Sequence, residues 1–123
     1  LAGLTAWQAL FDKGQLQASK QVVVLAGAGG VGHLAVQLAK WMGARVIATA
    51  SPENHEFLKS LGADLVLDYR NENLTDHINN VDLVIDGVGG EVGIDALRCV
   101  KPGGTLVTLP SATKDEVIQR VKK

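Results

Sequence analysis

Five short aliphatic runs, each followed by an amphipathic stretch, restrict the fold of this chain more than any other feature of its sequence. The runs are the predicted strands Val22–Ala26, Arg45–Ala50, Leu65–Leu67, Val81–Asp86 and Thr105–Leu109. Their apolar residues are largely continuous rather than alternating with polar ones, which is typical of strands buried on both faces. Because such strands alternate with helical stretches, we predict an α/β fold of three layers, in which helices cover both faces of a doubly wound parallel sheet.

The helical stretches between the runs complete this prediction. They are expected over Leu4–Phe11, Val31–Met42, Glu53–Leu61, Asn73–Ile78, Val92–Val100 and Lys114–Val121. Gly62 is expected to end the third helix, and Lys101-Pro102-Gly103-Gly104 the fifth. A sixth strand should follow the last helix and is missing, so the sheet is predicted to lack its last strand. We interpret residues 1–123 as one domain of a longer chain, since the first residue is Leu rather than Met.

Composition excludes several classes of function. The 123 residues are 46% hydrophobic, enough for a core, and only 4% aromatic, so that core must be aliphatic. Twelve Lys and Arg residues against 13 Asp and Glu residues give a net charge of −1, without the basic excess that nucleic-acid binding needs. The apolar runs are too short to span a membrane. The single cysteine suits a reducing compartment, so we expect a cytoplasmic protein.

The first strand leads directly into a turn rich in glycine. Gly27, Gly29 and Gly32 have the spacing G-x-G-x-x-G and lie between a predicted strand and a predicted helix, where this motif has a mechanism. The first glycine permits a tight turn, and the second lets the backbone approach a pyrophosphate at the helix N-terminus. The third allows the helix to pack closely on the strand. The motif therefore predicts a dinucleotide-binding domain of the Rossmann type.

The residues after the second strand indicate which dinucleotide binds. Sites that prefer NAD place Asp or Glu there to accept hydrogen bonds from the ribose, whereas this chain has Ala50-Ser51-Pro52. A small hydroxyl removes the repulsion that a carboxylate would exert on a 2′-phosphate, so we expect NADP(H) rather than NAD. An alternative stays open at this point, namely that Ser51 only caps the following helix, whose first turn carries Glu53.

Several segments taken together resemble one known family. The glycine turn and its helix, Ala26–Gly32 and Leu34–Lys40, are similar to the medium-chain dehydrogenase/reductase superfamily, most of all to its zinc-independent quinone oxidoreductase branch. The likeness continues, in the family's order, in Leu4–Trp7, Ser60–Asp64, Asp68–Tyr69, Asp86–Gly90 and Lys101–Gly104. The resemblance implies a nucleotide-binding domain, with a catalytic, GroES-like domain outside these 123 residues.

The resemblance also implies which residues contact the cofactor. They are Thr5, Leu109 and Pro110 near the nicotinamide, Gly29, Gly30 and Val31 at the pyrophosphate, Ser51 and Tyr69 at the 2′-phosphate, and Val88 and Gly89 along the cofactor. Many NADPH-dependent members carry a lysine early in the helix after Ser51, and this chain has Asn54 and His55 instead. Either side chain can donate to a phosphate, as can Arg70, so we add Asn54 and His55 to the predicted cofactor-binding residues.

The histidines and the cysteine receive plainer interpretations. His33 is expected to be partly exposed, and His77 to face solvent. Cys99 is expected to be a buried or half-buried structural thiol, because no base is placed near it. No group of His, Cys and acidic residues has metal-ligand spacing, so we predict no metal site, and we assign no catalytic residue.

Three further expectations concern packing and surface. Trp7 and Trp41 are expected to fill the interface between sheet and helices. Asp86, at the carboxyl edge of the sheet, is expected either to shape the cofactor turn or only to cap nearby backbone. A solvated helix face is predicted for Glu116, Arg120, Lys122 and Lys123.

These features together predict the cofactor-binding domain of an NADPH-dependent oxidoreductase that resembles quinone reductases and zinc-type alcohol dehydrogenases. Hydride would pass from NADPH to a small-molecule acceptor, a quinone or an enone, so residues 1–123 alone should bind cofactor without turnover. A homodimer that pairs through the edge of this domain is a further expectation.

Two alternatives to this function stay open. A non-catalytic NADP-binding sensor or scaffold would share the fold. A methyltransferase dependent on S-adenosylmethionine would share the late motif Leu97–Leu106, but it usually carries acids where this chain has Ala26 and Ala50-Ser51.

Overall fold

One sheet with helices on both sides is formed by the residues that the computed structural model describes, which are 2–13, 15–25, 30–68, 73–88, 90–108 and 117–120. Its strands are β1 (Gln21–Leu25), β2 (Arg45–Thr49), β3 (Leu65–Leu67), β4 (Val81–Asp86), β5 (Val100–Thr108) and β6 (Val117–Arg120). The spatial order is β3-β2-β1-β4-β5-β6. The first five strands run parallel and β6 is antiparallel to β5, which confirms the predicted doubly wound parallel sheet.

The helices lie close to their predicted positions. They are α1 (Ala2–Trp7), α2 (Gly30–Met42), α3 (His55–Ser60), α4 (Leu74–His77) and α5 (Gly90–Leu97). A π-helical segment, Gln8–Lys13, continues α1, and a 3₁₀ turn, Pro52–Asn54, precedes α3. No helix in the described ranges has the length and apolar character that a membrane crossing requires.

Two aliphatic cores, one on each face of the sheet, hold these elements together. Val22 and Val24 of β1 belong to a core with α1, α2 and α3, whereas Val23 and Leu25 belong to a core with α4 and α5. All four side chains are fully buried. Because successive residues of a strand point to opposite faces, a continuous aliphatic run serves both layers, as the sequence predicts.

The turn after α3 confirms the role expected of Gly62. Its φ of +114° lies in a region that side chains rarely adopt, and an added Cβ would lie 2.7 Å from Cγ of Lys40. The glycine therefore ends α3 and also lets the lysine stem pass over the turn.

Asp82 joins three elements at the amino-terminal edge of the sheet. Its Oδ2 accepts a hydrogen bond from the backbone N–H of Gln21, at 2.8 Å, and its Oδ1 pairs with the ammonium groups of Lys101 and Lys20. Burial by itself raises the pKa of Asp82. The hydrogen bonds from Lys101 and Gln21 and the charges of both lysines outweigh burial, so the pKa lies below its ordinary value.

Asp64 makes a similar junction between α2, β2 and β3. Its Oδ2 accepts from the backbone N–H of Val46 at 2.8 Å, and Nζ of Lys40 lies 2.9 and 3.0 Å from its two oxygens. Burial raises the pKa of Asp64, but the hydrogen bonds from Lys40 and Val46 and the positive charges of Lys40 and Arg45 lower it further than burial raises it.

The helix predicted over Lys114–Val121 is wrong where the chain is described. Residues 117–120 form β6, which pairs with β5 from Thr108↔Val117 to Thr105↔Arg120. The edge of β5 offers unpaired backbone groups that a neighbouring strand satisfies, and this tertiary preference overrides the local helical pattern. The edge of the sheet next to β5, which was predicted to lack its last strand, therefore carries the antiparallel strand β6. A solvated helix face is predicted for Glu116, Arg120, Lys122 and Lys123, but their side chains are not among those that the structure describes.

The segment Lys101-Pro102-Gly103-Gly104 also differs from its prediction. The helix before it ends at Leu97, and the segment itself belongs to β5, which starts at Val100. The pairing of β4 with β5 is irregular between Val81 and Leu83, at the level of this segment. Proline and two glycines are therefore accommodated by an irregular strand rather than by a helix end.

The prediction for the two tryptophans is wrong as well. Trp7 is 41% exposed and Trp41 is 70% exposed, so neither fills the interface between sheet and helices. Their rings lie 6.3 Å apart on the outer side of α1 and α2, and the ring of Trp7 also contacts Phe11 at 4.5 Å. The buried face of α2 consists of Gly32, Ala35, Val36 and Ala39. Trp41 lies on the opposite side of that helix, because the small residues take the positions nearest the sheet.

Candidate functional site

The carboxyl edge of the sheet has a crevice where the strand order reverses. The chain passes from β1 to β2 on one side, and β4 lies on the other side of β1. In open α/β sheets, ligands bind at such a switch point, outside the carboxyl ends of the strands. Leu25 pairs with Asp86 there, so β1 and β4 end at the same level.

Buried polar residues concentrate at this edge. Thr49, Asp86 and Thr108 are the last residues of β2, β4 and β5, and Asp68 directly follows β3. Their exposed fractions range from 0 to 6%. Such groups do not stabilise an aliphatic core, since burying a polar side chain costs free energy unless it is paired. Their placement indicates that the edge is built for polar contacts.

The amino end of α2 lies at the switch point, next to the glycine turn. Gly30, the first residue of α2, is exposed, and a Cβ added to it would meet nothing within 4 Å. Val31 is half-buried and Gly32 is fully within the packed interior. The first N–H groups of a helix have no intrahelical partner, and with the helix dipole they attract anions. The open space beside Gly30 is compatible with an anion at this helix end. Gly27 and Gly29 lie outside the described residues.

Ser51 follows β2 at the same edge, half-buried. It precedes the 3₁₀ turn at the capping position, but its side chain makes no capping hydrogen bond, and neither does Asn54 in front of α3. The alternative in which Ser51 serves only as a helix cap is therefore not supported by the geometry. Ser51 therefore lies just after the carboxyl end of β2, at the same edge of the sheet as the start of α2.

His55 is fixed against the end of β2. Its Nε2 lies 3.1 Å from the carbonyl oxygen of Ala50, and because a carbonyl only accepts, Nε2 carries the proton. The other ring nitrogen, Nδ1, is then an acceptor in the neutral ring and a donor in the imidazolium form. His55 can therefore donate to a phosphate only as a cation. Tyr69 and Arg70, the other residues expected at that phosphate, lie outside the described residues.

The turn after β4 is held by the side chain that ends the strand. Oδ1 of Asp86 accepts a hydrogen bond from the backbone N–H of Val88 at 2.9 Å. Across from this carboxylate lies Gly93 of α5, where an added Cβ would be 2.3 Å from Oδ2 of Asp86. The sequence prediction missed Gly93, although an isolated glycine inside a predicted helix is a signal of close packing. Gly89 lies outside the described residues.

The residues expected near the nicotinamide are described only in part. Thr5 is half-buried on α1. Gly3 lies beside Leu34, and Trp7 beside Trp41, so α1 runs parallel to α2 with its amino end toward the carboxyl edge. Leu109 and Pro110 lie outside the described residues, but Thr108 before them pairs with Asp86 and brings β5 to the crevice.

The remaining histidines and the cysteine agree with their plain interpretations. His33 is half-buried next to Gln37, and His77 is exposed. Cys99 is buried, and burial together with the negative charge of Asp95 raises the pKa of its thiol to about 11. Within the described ranges, no group of three or more His, Cys, Asp and Glu residues is arranged to hold a metal ion.

A cavity of about 340 Å³ lies at the opposite, amino-terminal edge. The loop before β1 and the irregular part of β5 line it, and its charged residues are Lys20, Asp82 and Lys101. None of the predicted cofactor-binding residues lies there, so this cavity is separate from the crevice at the switch point.

Comparison with known proteins identifies the family. Residues 30–121 match the family described as zinc-binding dehydrogenase. The chain is 46% identical over 114 residues to the 2-methylene-furan-3-one reductase of Solanum lycopersicum. The matched region covers 91% of this chain and 29% of the reductase. The chain is 44% identical over 100 residues to the chloroplastic NADPH-dependent alkenal/one oxidoreductase of Arabidopsis thaliana, covering 80% of this chain and 25% of that protein.

A solved structure agrees with these matches. The quinone oxidoreductase from Coxiella burnetii is similar with a TM-score of 0.79 and 52% sequence identity, over 84% of this chain and 32% of that one. The chain thus spans between a quarter and a third of the relatives named here. The extent of the family match and these identities together show that the chain belongs to the zinc-binding dehydrogenase family, within the medium-chain dehydrogenase/reductase superfamily that its motifs resemble.

Proposed function

We propose that this domain binds NADPH across the carboxyl edge of its sheet and serves an oxidoreductase that reduces a quinone or an enone. The observation that carries the proposal is the amino end of α2, where exposed Gly30 leaves open space at the switch point. The printed names of the relatives, an NADPH-dependent alkenal/one oxidoreductase and a quinone oxidoreductase, support the choice of cofactor and acceptor.

The proposed binding mode assigns a role to each described residue at the edge. The first N–H groups of α2, from Gly30 onward, hold the pyrophosphate, with Gly27 and Gly29 of the turn completing the loop. Ser51 and the imidazolium form of His55 bind the 2′-phosphate, together with Asn54, Tyr69 and Arg70. Val88 and Gly89 line the cofactor, whereas Thr5, Leu109 and Pro110 lie at the nicotinamide.

The chemistry then divides between cofactor and protein. Bound NADPH supplies the hydride, and the domain binds and orients it. Among the described residues, no group of three or more His, Cys, Asp and Glu side chains could hold a metal ion, and we assign no metal ligand there. We propose that the acceptor binds to a part of a longer protein, so that the 123 residues alone do not turn over substrate.

Of the alternatives, the family match excludes a methyltransferase. A non-catalytic NADP-binding sensor would use the same edge of the sheet, and only an activity measurement on a longer protein separates it from the enzyme. A homodimer and a cytoplasmic location are further proposals. Sedimentation of the purified chain tests the homodimer, and microscopy of the tagged protein tests the location. The relative from Arabidopsis thaliana is named as chloroplastic.

Substitution of Gly30 tests the proposed cofactor site. A leucine at Gly30 meets no other residue within 4 Å of its Cβ, so the chain is expected to fold, while the side chain fills the space for the pyrophosphate. We expect NADPH to quench or shift fluorescence in the wild type and to bind Gly30→Leu at least about 30-fold more weakly, a loss of about 2 kcal/mol. Gly3→Ala, at an exposed position of α1, is the control and should bind like the wild type. Equal affinity of Gly30→Leu and wild type would disprove the proposed site.

A further inference from the structure

We propose that Asp86 is a positioning residue for the dinucleotide. Its carboxylate fixes the turn of Gly87 and Val88 beside the cofactor, and Gly93 provides the room that this carboxylate requires. The inference rests on the proposed function, because Val88 is one of the residues proposed to line the cofactor.

The first argument is the position of Asp86. It is the last residue of β4, pairs with Leu25 on one side and Thr108 on the other, and is only 3% exposed. It therefore lies in the middle strand of the crevice, between the ends of β1 and β5. A carboxylate is seldom buried to this degree unless it is paired, and burial without a partner would be costly. A buried carboxylate at the carboxyl end of β4 therefore indicates a role in the turn that follows this strand.

The second argument is the contact that the carboxylate makes. Its Oδ1 accepts the backbone N–H of Val88 at 2.9 Å, two residues further along the chain. This is the local hydrogen bond with which aspartate shapes a turn, and an ionised acceptor strengthens it. The hydrogen bond therefore sets the direction in which the backbone of Gly87 and Val88 leaves the strand.

The third argument is the absence of a side chain opposite. An added Cβ at Gly93 would lie 2.3 Å from Oδ2 of Asp86 and 3.3 Å from its Cγ. The first distance is shorter than real Cβ atoms show and the second is tighter than most of their contacts, and Asp86 has a short side chain with little freedom to move away. Glycine is unfavourable inside a helix, yet Gly93 lies within α5. Any other residue there would displace the carboxylate and with it the N–H of Val88.

Asp82 provides a matched comparison on the same strand. It also binds a backbone N–H, that of Gln21, but it lies at the amino-terminal edge, away from the crevice. If Asp86 only stabilised the fold, loss of either carboxylate would have the same kind of effect. A positioning role predicts that only Asp86 influences the affinity for NADPH.

The test measures NADPH affinity by calorimetry and folding by thermal unfolding, in the wild type, Asp86→Ala, Asp86→Asn and Asp82→Asn. We expect Asp86→Ala to raise the Kd for NADPH about fivefold to tenfold, as expected for a lost hydrogen bond that orders a contact. Asp86→Asn should bind more tightly than Asp86→Ala, since an amide oxygen accepts the same N–H. Asp82→Asn should unfold at a lower temperature and bind NADPH like the wild type.

Gly93→Ala is a second, independent variant, which keeps the carboxylate but displaces it. It should raise the Kd for NADPH at least about threefold, whereas Gly3→Ala, a glycine in α1 with room for a Cβ, should not. Should Asp86→Ala fail to fold, Gly93→Ala and Asp86→Asn decide the question.

The outcomes separate this inference from the proposed function. No NADPH binding by the folded wild type would overturn the proposed function, and with it this inference. Tight binding by the wild type together with equal affinity in folded Asp86→Ala and Gly93→Ala would overturn the role of Asp86 alone. An equal loss of affinity in Asp82→Asn would also overturn it, because the effect would then reflect stability.

Discussion

In the proposed binding mode, individual side chains at the end of β2 determine which dinucleotide this domain prefers. Ser51 makes no capping hydrogen bond, so its hydroxyl does not stabilise the start of the helix that follows. The ring of His55 lies against the carbonyl oxygen of Ala50. Both side chains therefore lie at the edge of the sheet. A hydroxyl and an imidazolium are compatible with a phosphate, whereas a carboxylate in the same place binds two ribose hydroxyls and repels the phosphate. The preference for NADPH therefore depends on very few atoms.

The substitution Ser51→Asp should reverse that preference. We expect the ratio of the Kd for NADH to the Kd for NADPH to fall at least about tenfold, equivalent to about 1.4 kcal/mol, because the new carboxylate accepts from the ribose and repels the 2′-phosphate. Titration of both cofactors gives the ratio. Ser60→Asp adds the same charge on exposed α3 and should leave the ratio unchanged. An unchanged ratio in Ser51→Asp would contradict the assignment of Ser51.

Cys99 provides a prediction about reactivity. Burial and the charge of Asp95 raise the pKa of its thiol to about 11, and only the thiolate is nucleophilic. Since the folded state keeps the thiol protonated at neutral pH, we expect iodoacetamide to label Cys99 at pH 8 at least about 100-fold more slowly in the native chain than in urea. Mass spectrometry measures both rates. Similar rates in the two states would show that Cys99 is accessible and would contradict its structural role.

The sequence predicts some of the site residues and misses others for a physical reason. The glycine spacing and Ser51 follow from the order of residues along the chain, and Val88 follows from the resemblance to the family. The contact between His55 and Ala50 and the close approach of Gly93 to Asp86 arise only when separate elements pack. Local patterns carry little information about such contacts, although a glycine within a predicted helix marks the position.

At the scale of the elements, the strands were predictable because burial on both faces demands continuous aliphatic residues. β3 and β4 begin and end at the predicted residues, and β1 and β2 begin within one residue of theirs. The edge of the sheet was not predictable, since residues 117–120 follow the pairing partner offered by β5 rather than their own helical pattern. The helix faces show a similar limit, because small residues of α2 approach the sheet and leave Trp41 outside.

The ion-paired aspartates at the amino-terminal edge predict how the junction of β1, β4 and β5 responds to acid. The folded-state pKa of Asp82 is lowered, so its ionised form stabilises the fold fully above its ordinary pKa of about 4. That contribution is lost as the pH falls through the lowered pKa. We therefore expect the urea midpoint of the wild type to fall between pH 5 and about pH 3 more than that of Asp82→Asn.

The control for this comparison is Asp76→Asn, which removes an exposed aspartate on α4. It should show the acid response of the wild type, since it leaves the junction intact. If Asp82→Asn lost as much stability on acidification as the wild type, the ion pairs with Lys20 and Lys101 would not be the source of the effect.

At the scale of the whole molecule, the two edges of the sheet serve different purposes. At the amino-terminal edge, ion pairs join neighbouring elements, and the positive-φ glycines Gly43 and Gly62 lead into β2 and β3 there. The carboxyl edge carries buried polar side chains and the open start of α2. Both aliphatic cores lie between the edges, so changes at the cofactor crevice need not disturb packing. Because the cores and the crevice lie in different parts of the fold, residues of the site can differ without loss of the packing that stabilises the fold.

The division also predicts what the 123-residue chain does by itself. The carboxyl edge provides the groups that we propose to bind NADPH, and we assign no described side chain there as a proton donor to an acceptor. We expect the purified chain to bind NADPH and to show no oxidation of NADPH by a quinone above the background rate, measured at 340 nm. Gly30→Leu is the control, because it should neither bind nor react. Oxidation by the wild type that Gly30→Leu abolishes would show that the domain is itself catalytic, and the acceptor would then have to bind at the same crevice.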